Sequence, residues 1–407
     1  MQNLIRKLIN KNNKKIILCV LDGLGGLPKD GKTELEAANT PNLDRIADGS
    51  SCGLHLPVAR GITPGSGAAH LGLFGYDPLN FEIGRGVLEA LGLGVEIGPN
   101  DLAIRGNFAT VEYRDGTPVV TDRRAGRIQT EENKRIIEKL SSSVDEFEGV
   151  KASFYPGMEH RFVLKLNFPG GIPEGGEKIN DTDPQETGKS PIIPHGDNNH
   201  SKQVAKVFLK FIDKIAEVIK DEKKANYALF RGISVYPHLS SYEEVYGLRA
   251  GCIATYPMYR GVAKLVGMDV LEVKDNSIES EIETLKREYV NYDFIYLHVK
   301  KTDSYGEDGN FDGKVCVIEE FDNLVPEIMS LKPDVFVVTG DHSTPSTMKA
   351  HSWHPVPILI NSDYPRLGSA SGFSENSCNN GSLGTIKAIE IMPLLLAHAD
   401  RLKKFGA

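Results

Sequence analysis

Cysteine is sparse in this chain: Cys19, Cys52, Cys252, Cys316 and Cys378 are scattered over 407 residues with no CxxC spacing. An odd, dispersed set of thiols argues against a disulfide framework and leads us to expect a cytoplasmic protein. Tryptophan occurs once, at Trp353, and is expected to pack between neighbouring loops. Positive charge is not in surplus, since 47 Lys and Arg face 55 Asp and Glu for a net charge of −8. That balance lacks the electrostatic footprint of a nucleic-acid binder or a basic membrane-surface protein, so neither partner is expected. Long apolar runs are missing too. The opening MQNLIRKLINKNNKKIILCV is rich in Lys and Arg, and its apolar stretch is cut short at Asp22, which excludes a signal peptide or a membrane span. No internal repeat, no long low-complexity tract and no GxxxxGK[ST] phosphate loop is found.

What remains is ordinary globular material, with 40% hydrophobic and 25% charged residues. At roughly 150 residues per domain the length predicts two to three domains and a sizeable core. The run KIILCVL, residues 15–21, enters Asp-Gly like a buried parallel strand. Similar runs lie at 227–230, 294–299 and 335–339. Between them, Thr40-Pro41 opens one helix, and Val204, Val207, Phe208, Phe211, Ile212, Ile215 and Ile219 mark a long amphipathic one. This alternation predicts an α/β sheet covered by helices on both faces, with ligands beyond the carboxyl ends of its strands. From about Asn100 to His195 the pattern changes to short alternating segments and Gly/Pro-rich passages, with no sustained helical period. We read residues 101–195 as a smaller inserted α+β domain, residues 1–100 and 196–407 as the core, and 384–402 as a helix bent at Pro393.

Four strand-to-loop junctions carry groups that suit a core poorly unless paired or metal-bound: Asp22, Asp303, Asp341-His342 and His351. Their convergence would supply a two-metal site. Each also has a plainer reading, Asp22 as a turn residue beside Gly23 and Asp341 as a helix N-cap. The segment GITPGSGAAH places Ser66 at a helix start, where free N–H groups attract a phosphate and a hydroxyl can act as nucleophile once activated. Ser66 as a simple N-cap is the alternative.

The ordered segments LDGLGGLP, TPNLDRIA, TPGSGAAHLGLFGYDP, DRRAGRI, KKTDSYGEDGNFDGK, VTGDHSTP and HSWHPVP resemble, over nearly the whole chain, the archaeal-type 2,3-bisphosphoglycerate-independent phosphoglycerate mutases of the alkaline phosphatase superfamily. The resemblance implies an alkaline-phosphatase-like sheet with an inserted cap. It implies two divalent metal ions, Mn or Mg and otherwise Zn or Co, no 2,3-bisphosphoglycerate, and phosphoglycerate as the small-molecule substrate. Ser66 resembles the serine that becomes phosphorylated. Asp22, Asp341 and His342, with Ser66, match one metal site, and Asp303 and His351 match two ligands of the other. The family's pattern has His where this chain has Glu307, and a carboxylate there favours harder ions.

Planar guanidinium groups hold phosphate and carboxylate bidentately, so Arg123, Arg124 and Arg127, with His160 and Arg161, are the expected substrate clamp. Arg249 and Lys301 are candidates from the core. Asp122 or His160 could move the hydroxyl protons. His70, His195, His200 and His354 are expected to be structural or surface residues. The competing readings are a metal-dependent phosphomonoesterase, a homoserine-kinase-like relative, and a noncatalytic metal-binding relative, the last motivated by Glu307.

Overall fold

The computed structural model describes residues 1–81, 83–237 and 239–406. Its strands are, in chain order, β1 (Ile16–Leu21), β2 (Ser51–Leu56), β3 (Asp101–Arg114), β4 (Thr117–Asp122), β5 (Glu146–Phe147), β6 (Val150–Pro156), β7 (Arg161–Asn167), β8 (Tyr227–Val235), β9 (Ala250–Ala254), β10 (Asp269–Val270), β11 (Phe294–Val299), β12 (Val335–Thr339), β13 (Val356–Ser362) and β14 (Gly384–Lys387). The chain forms two compact units: Met1–Glu82 with Leu239–Ala407, and Ile83–His238.

The first unit is built on an eight-stranded sheet in the order β10-β9-β11-β1-β12-β13-β2-β14. Five strands, β10 through β12 in that order, run parallel, and β13 is antiparallel to both β12 and β2. Every residue of β1, β11 and β12 is buried, which is why these strands read as continuous apolar runs. Alternation still sorts their faces. Ile295, Leu297 and Val299 join the core with Ile282, Leu285, Val317 and Phe321, whereas Phe294 and Tyr296 meet Tyr242 and Phe74. Register aligns Leu21 with Val299 and Val20 with Thr339, so the chain leaves all three central strands at one edge. Asp22, Asp303 and Asp341 are delivered there.

The second unit is a six-stranded sheet, β4-β3-β7-β6-β5 with β8 also paired to β3. Helices Thr130–Ser143 and Asn199–Ile219 pack their apolar stripes on it, through Ile136, Leu140, Phe208 and Phe211 among others. The longer helix starts where the Asn198 side chain accepts from the Ser201 backbone, a side-chain cap on an otherwise free N–H.

Several expectations are corrected here. The run 227–230 is not a parallel strand of the main sheet; it begins β8, antiparallel to β3. The amphipathic helix before it also belongs to the second unit, so that unit spans 83–238 rather than 101–195. An apolar run reports burial but not its partner, so it does not tell which sheet a strand joins. The passage without sustained helical period contains the helix Thr130–Ser143, whose buried Asn133, Ile136, Ile137 and Leu140 form a short stripe. The end of the chain is β14, a turn of 3-10 helix and the helix Ile391–His398. Pro393 lies in that helix's first turn, where the missing N–H would have no partner, so it does not bend the helix.

Candidate active site

The sheet edge of the first unit gathers five of the seven expected metal-binding residues, with Asp22, Asp303, Asp341 and His342 buried and His351 half-buried; Ser66 joins them through Tyr259, and Glu307 stands at the rim. Asp22, Asp341 and His342 form one group, and Asp303, His342 and His351 another; in each the potential ligand atoms lie within 4.8 Å of one another. His342 Nε2 lies 3.1 Å from Asp341 Oδ2 and 3.5 Å from Asp22 Oδ1. His351 Nε2 lies 3.6 Å from Asp303 Oδ1, and its ring stacks on that of His342 at 3.7 Å. Glu307 follows Asp303 by one turn of the helix Lys301–Asp308, its Oε1 3.7 Å from His351 Nε2 and its side chain half exposed.

Asp341 is no helix cap, because no helix follows it; its Oδ1 accepts from the Gly23 backbone at 3.0 Å. Gly23 itself needs its positive φ of 63°, and a Cβ there would lie 2.5 Å from Thr344 Oγ1. Ser66 is not a cap either: Gly65 holds that position, without a side-chain cap bond, and Ser66 is the first helical residue of Ser66–Leu73. Its side chain interacts with the Tyr259 hydroxyl, which donates to Asp22 Oδ2 at 2.5 Å. The loop ahead of Ser66 is tied in by His351 Nδ1, 3.0 Å from the Pro64 carbonyl.

Burial would raise the Asp22 carboxyl, but His298, Lys300 and His342 together hold it well below the usual range. Asp341 is pushed well above by burial and by the Asp22 charge. Burial drives His342 well down, leaving it neutral. Asp22 Oδ1, Asp341 Oδ2 and His342 Nε2 are buried with no hydrogen-bond partner. Converging lone pairs of two carboxylates and a neutral imidazole, otherwise a costly arrangement, are what a divalent cation requires.

Four residues at this edge escaped the sequence reading. Lys300 donates to Asp22 Oδ2 at 3.0 Å and to Asp303 Oδ2 at 2.5 Å, placing an ammonium between the two groups. Tyr259, Thr344 and His298 complete the surround; Thr344 Oγ1 donates to Asp303 Oδ1 at 2.7 Å, and His298 Nε2 lies 3.4 Å from Asp22 Oδ2. The Lys-Lys doublet before Asp303 is the available signal, and the member that reaches the carboxylates is Lys300, not Lys301. Lys301 is exposed and lines, with Lys300, Glu281 and Asn276, a pocket of about 290 Å³. His70 is also closer than expected, fully buried with Nδ1 2.9 Å from the Ser66 carbonyl and 3.3 Å from Asp341 Oδ2. Arg249 is excluded from this edge. It precedes β9 at the opposite end of the parallel strands, its guanidinium over Tyr292, about 17 Å away at 3.3 Å per residue. Trp353 is 46% exposed rather than packed between loops, and His354 turns to Ser352.

In the second unit Arg123 is committed to a bidentate bond with buried Asp183, at 2.9 and 2.7 Å, and so braces the loop instead of standing free. Asp122 accepts from the backbone of Arg124 and Gly126, a turn-forming role that occupies both carboxylate oxygens. His160 is buried, and burial followed by the Arg161 charge lowers its pKa to about 4, so it is no acid at neutral pH. Arg124, Arg127 and Arg161 are exposed. Register adds a pair that sequence reasoning missed: Arg105 of β3 lies directly opposite Arg231 of β8. Like charges facing across a ladder are destabilising. Both have counter-charges: Arg105 Nε lies 3.7 Å from Glu89, and Arg231 lies 3.4 Å from Asp181 and 3.8 Å from Asp183.

A largely parallel sheet whose carboxyl edge presents a helix-start serine above clustered Asp and His defines an alkaline-phosphatase-like α/β enzyme. A family model described as 2,3-bisphosphoglycerate-independent phosphoglycerate mutase matches residues 47–225. Curated relatives named "probable 2,3-bisphosphoglycerate-independent phosphoglycerate mutase" include one from Aquifex aeolicus, 56% identical over 100% of both chains, and one from Thermotoga maritima, 53% identical over 100% of this chain and 99% of its own. Among solved structures, a Pyrococcus horikoshii protein is 29% identical with a TM-score of 0.79, covering 98% of this chain and 100% of its own. The cofactor-independent phosphoglycerate mutase from Thermoplasma acidophilum is 31% identical with a TM-score of 0.77, covering 95% and 100%. The chain belongs to the 2,3-bisphosphoglycerate-independent phosphoglycerate mutase family.

Proposed function

We propose that the chain interconverts 3-phosphoglycerate and 2-phosphoglycerate through a phosphoserine at Ser66, in the cytoplasm. The observation that carries this reading is the placement of Ser66, free of capping duty, beside Tyr259, Asp22 and the paired carboxylate–imidazole groups. The Ser66 hydroxyl attacks phosphorus in line, the bond to the substrate oxygen breaks, and the hydroxyl proton passes to that departing oxygen. The free N–H groups at the start of Ser66–Leu73 and the Lys300 ammonium favour the negative charge of the phosphoryl group. Glycerate then presents its other hydroxyl, which takes the phosphoryl group back and returns a proton to Ser66.

Asp22, Asp341 and His342, with Ser66, would hold one divalent ion, and Asp303 and His351, with Glu307, a second. When bound, such ions supply Lewis-acid charge and lower the pKa of the serine hydroxyl. The mixed oxygen and nitrogen donors suit Mn, and the carboxylate of Glu307 biases the second site toward Mn or Mg. Arg124, Arg127 and Arg161 are assigned to the substrate's carboxylate and phosphate. Retaining glycerate and excluding water during the half-reaction distinguishes a mutase from a phosphatase.

The test is metal-stripped protein assayed for interconversion without added bisphosphoglycerate, with Mn, Mg, Co and Zn titrated beside a generic phosphomonoester. Metal-dependent interconversion is expected. Phosphate release without interconversion would replace the mutase by a hydrolase.

A further inference from the structure

Behind the metal-binding edge lies a charge that the proposed chemistry does not use. Lys314, in the helix Phe311–Met329, is fully buried, and burial lowers its pKa. Its Nζ donates to three backbone carbonyls: Gly23 at 2.8 Å, Gly25 at 3.1 Å and Thr344 at 3.0 Å. Gly23 and Gly25 belong to the loop that carries Asp22, and Thr344 to the loop that carries Asp341 and His342. An ammonium has three donors. All three serve the two loops that supply the first metal group.

Besides the Asp341 carboxylate, which accepts from the Gly23 backbone at 3.0 Å, the same loops touch through backbone contacts. The Thr344 backbone N–H lies 3.2 Å from the Gly23 carbonyl and 3.0 Å from that of Gly25. Leu24 and Gly25 bridge to Ser343. The balancing carboxylate is Glu34, fully buried, with Oε2 3.9 Å from Lys314 Nζ and Oε1 accepting from the Ser346 backbone at 2.8 Å. Glu375 stands close by, its carboxylate accepting from the Gly26 backbone at 2.8 Å and the Thr33 hydroxyl at 2.7 Å. There is no slack around this tie. A Cβ on Gly25 would lie 1.9 Å from Ser343 Oγ, one on Gly26 2.0 Å from Glu34 Oε2, and one on Gly306 2.3 Å from the Thr344 carbonyl.

We propose that Lys314 is a positioning residue for the metal site: its ammonium ties the Asp22 loop to the Asp341-His342 loop and so sets the distance between their ligands. The proposal rests on the reading of those residues as metal ligands. A charge-assisted hydrogen bond to a carbonyl is stronger than a neutral one, and three from one atom fix the separation of the loops more firmly than the side chains they carry. Partners of this outer kind are worth about 10–100-fold in metal affinity.

Removing the lysine alone would leave Glu34 buried without a counter-charge, so the test pairs two changes. Lys314→Met with Glu34→Gln deletes both charges while the glutamine oxygen still accepts from Ser346. Metal-free stability is followed by thermal unfolding, and Mn binding by calorimetry and by the Mn electron paramagnetic resonance spectrum. The double variant is expected to fold, to bind Mn about 10–100-fold more weakly, and to give an altered Mn spectrum. Lys314→Gln with Glu34→Gln, which keeps two N–H donors, should recover part of the affinity. Parent-like Mn affinity and spectrum in the double variant would reduce Lys314 to charge balance in the core and overturn the proposal. Absence of Mn binding by the parent protein would instead remove the metal-site reading itself, and this proposal with it.

Discussion

Replacing Asp341 by Asn should change the protein's stability in opposite directions with and without metal. Asp22 Oδ1, Asp341 Oδ2 and His342 Nε2 are buried and unpartnered, and each such group costs about 1–3 kcal/mol. In metal-free protein the cost is compounded by burial and by the charge of Asp22, which together push Asp341 well above its ordinary pKa. Asparagine keeps an oxygen to accept from the Gly23 backbone and removes the like charge, so metal-free Asp341→Asn should melt at or above the parent. At an Mn concentration one hundredfold above the dissociation constant, binding adds about 2.7 kcal/mol to the parent. For domains of this size that raises Tm by roughly 5–11 °C. Loss of a direct ligand should weaken binding by at least the roughly hundredfold seen for outer partners. At the same Mn concentration the variant's shift then falls to about 1 °C. Thermal unfolding of both proteins, metal-stripped and Mn-titrated, decides the matter. An undiminished Mn shift in the variant, or a metal-free Tm several degrees below the parent, would refute this account of the edge.

Other perturbations separate the roles of neighbouring groups. Ser66→Ala should abolish interconversion and phosphoenzyme formation while moving Tm by no more than about 1 °C, since the serine makes no capping bond; phosphopeptide mass spectrometry after substrate addition reads the first part. Arg124→Ala should reduce interconversion at least tenfold more than hydrolysis of a generic phosphomonoester, about the 1.4 kcal/mol of one charge-assisted hydrogen bond; equal losses would take the arginine loop out of substrate binding. His55 gives a pH signature away from the site. Its folded pKa is lowered from 6.5 to about 4 by burial, so the unfolded chain binds the proton first. Stability from this group is present above pH 6.5 and is lost as pH falls toward 4, by about 3 kcal/mol in all. Urea titrations at pH 8 and pH 4.5 should show His55→Gln losing less on acidification than the parent.

Much of the catalytic edge was legible because its residues sit where apolar strands stop. Asp22, Asp303 and Asp341 each follow a run too hydrophobic to carry a carboxylate without reason, and the fold brings those runs into adjacent register. The groups that surround them were not legible in the same way. Tyr259 and Lys314 come from helices whose rotation about their axes decides what they touch, and no local pattern records that. Arg105 and Arg231 are 126 positions apart in sequence number and become a pair only through the β3–β8 register. Arg249 misled because a basic residue beside a strand can lie at either end of it, and only the strand's direction tells which. The second unit was drawn too small for a related reason: β8 is as apolar as a parallel core strand, and its antiparallel pairing leaves no trace in composition.

The position of β1 between β11 and β12 also has a consequence for synthesis on the ribosome. Even the first of β1's two partners, β11, is made only after most of the polypeptide has emerged, whereas β3 through β8 are all available by residue 235. At about 5–20 residues per second, the β1 segment IILCVL waits on the order of 15–60 s between its own emergence and that of β11. During that interval it is an apolar strand with two unfilled edges, and for its last part, once residue 235 has emerged, the inserted unit already has all its strands. Nascent chains stalled before β11 should therefore contain a folded second unit and a β1 segment that is protease-sensitive and a target for chaperones.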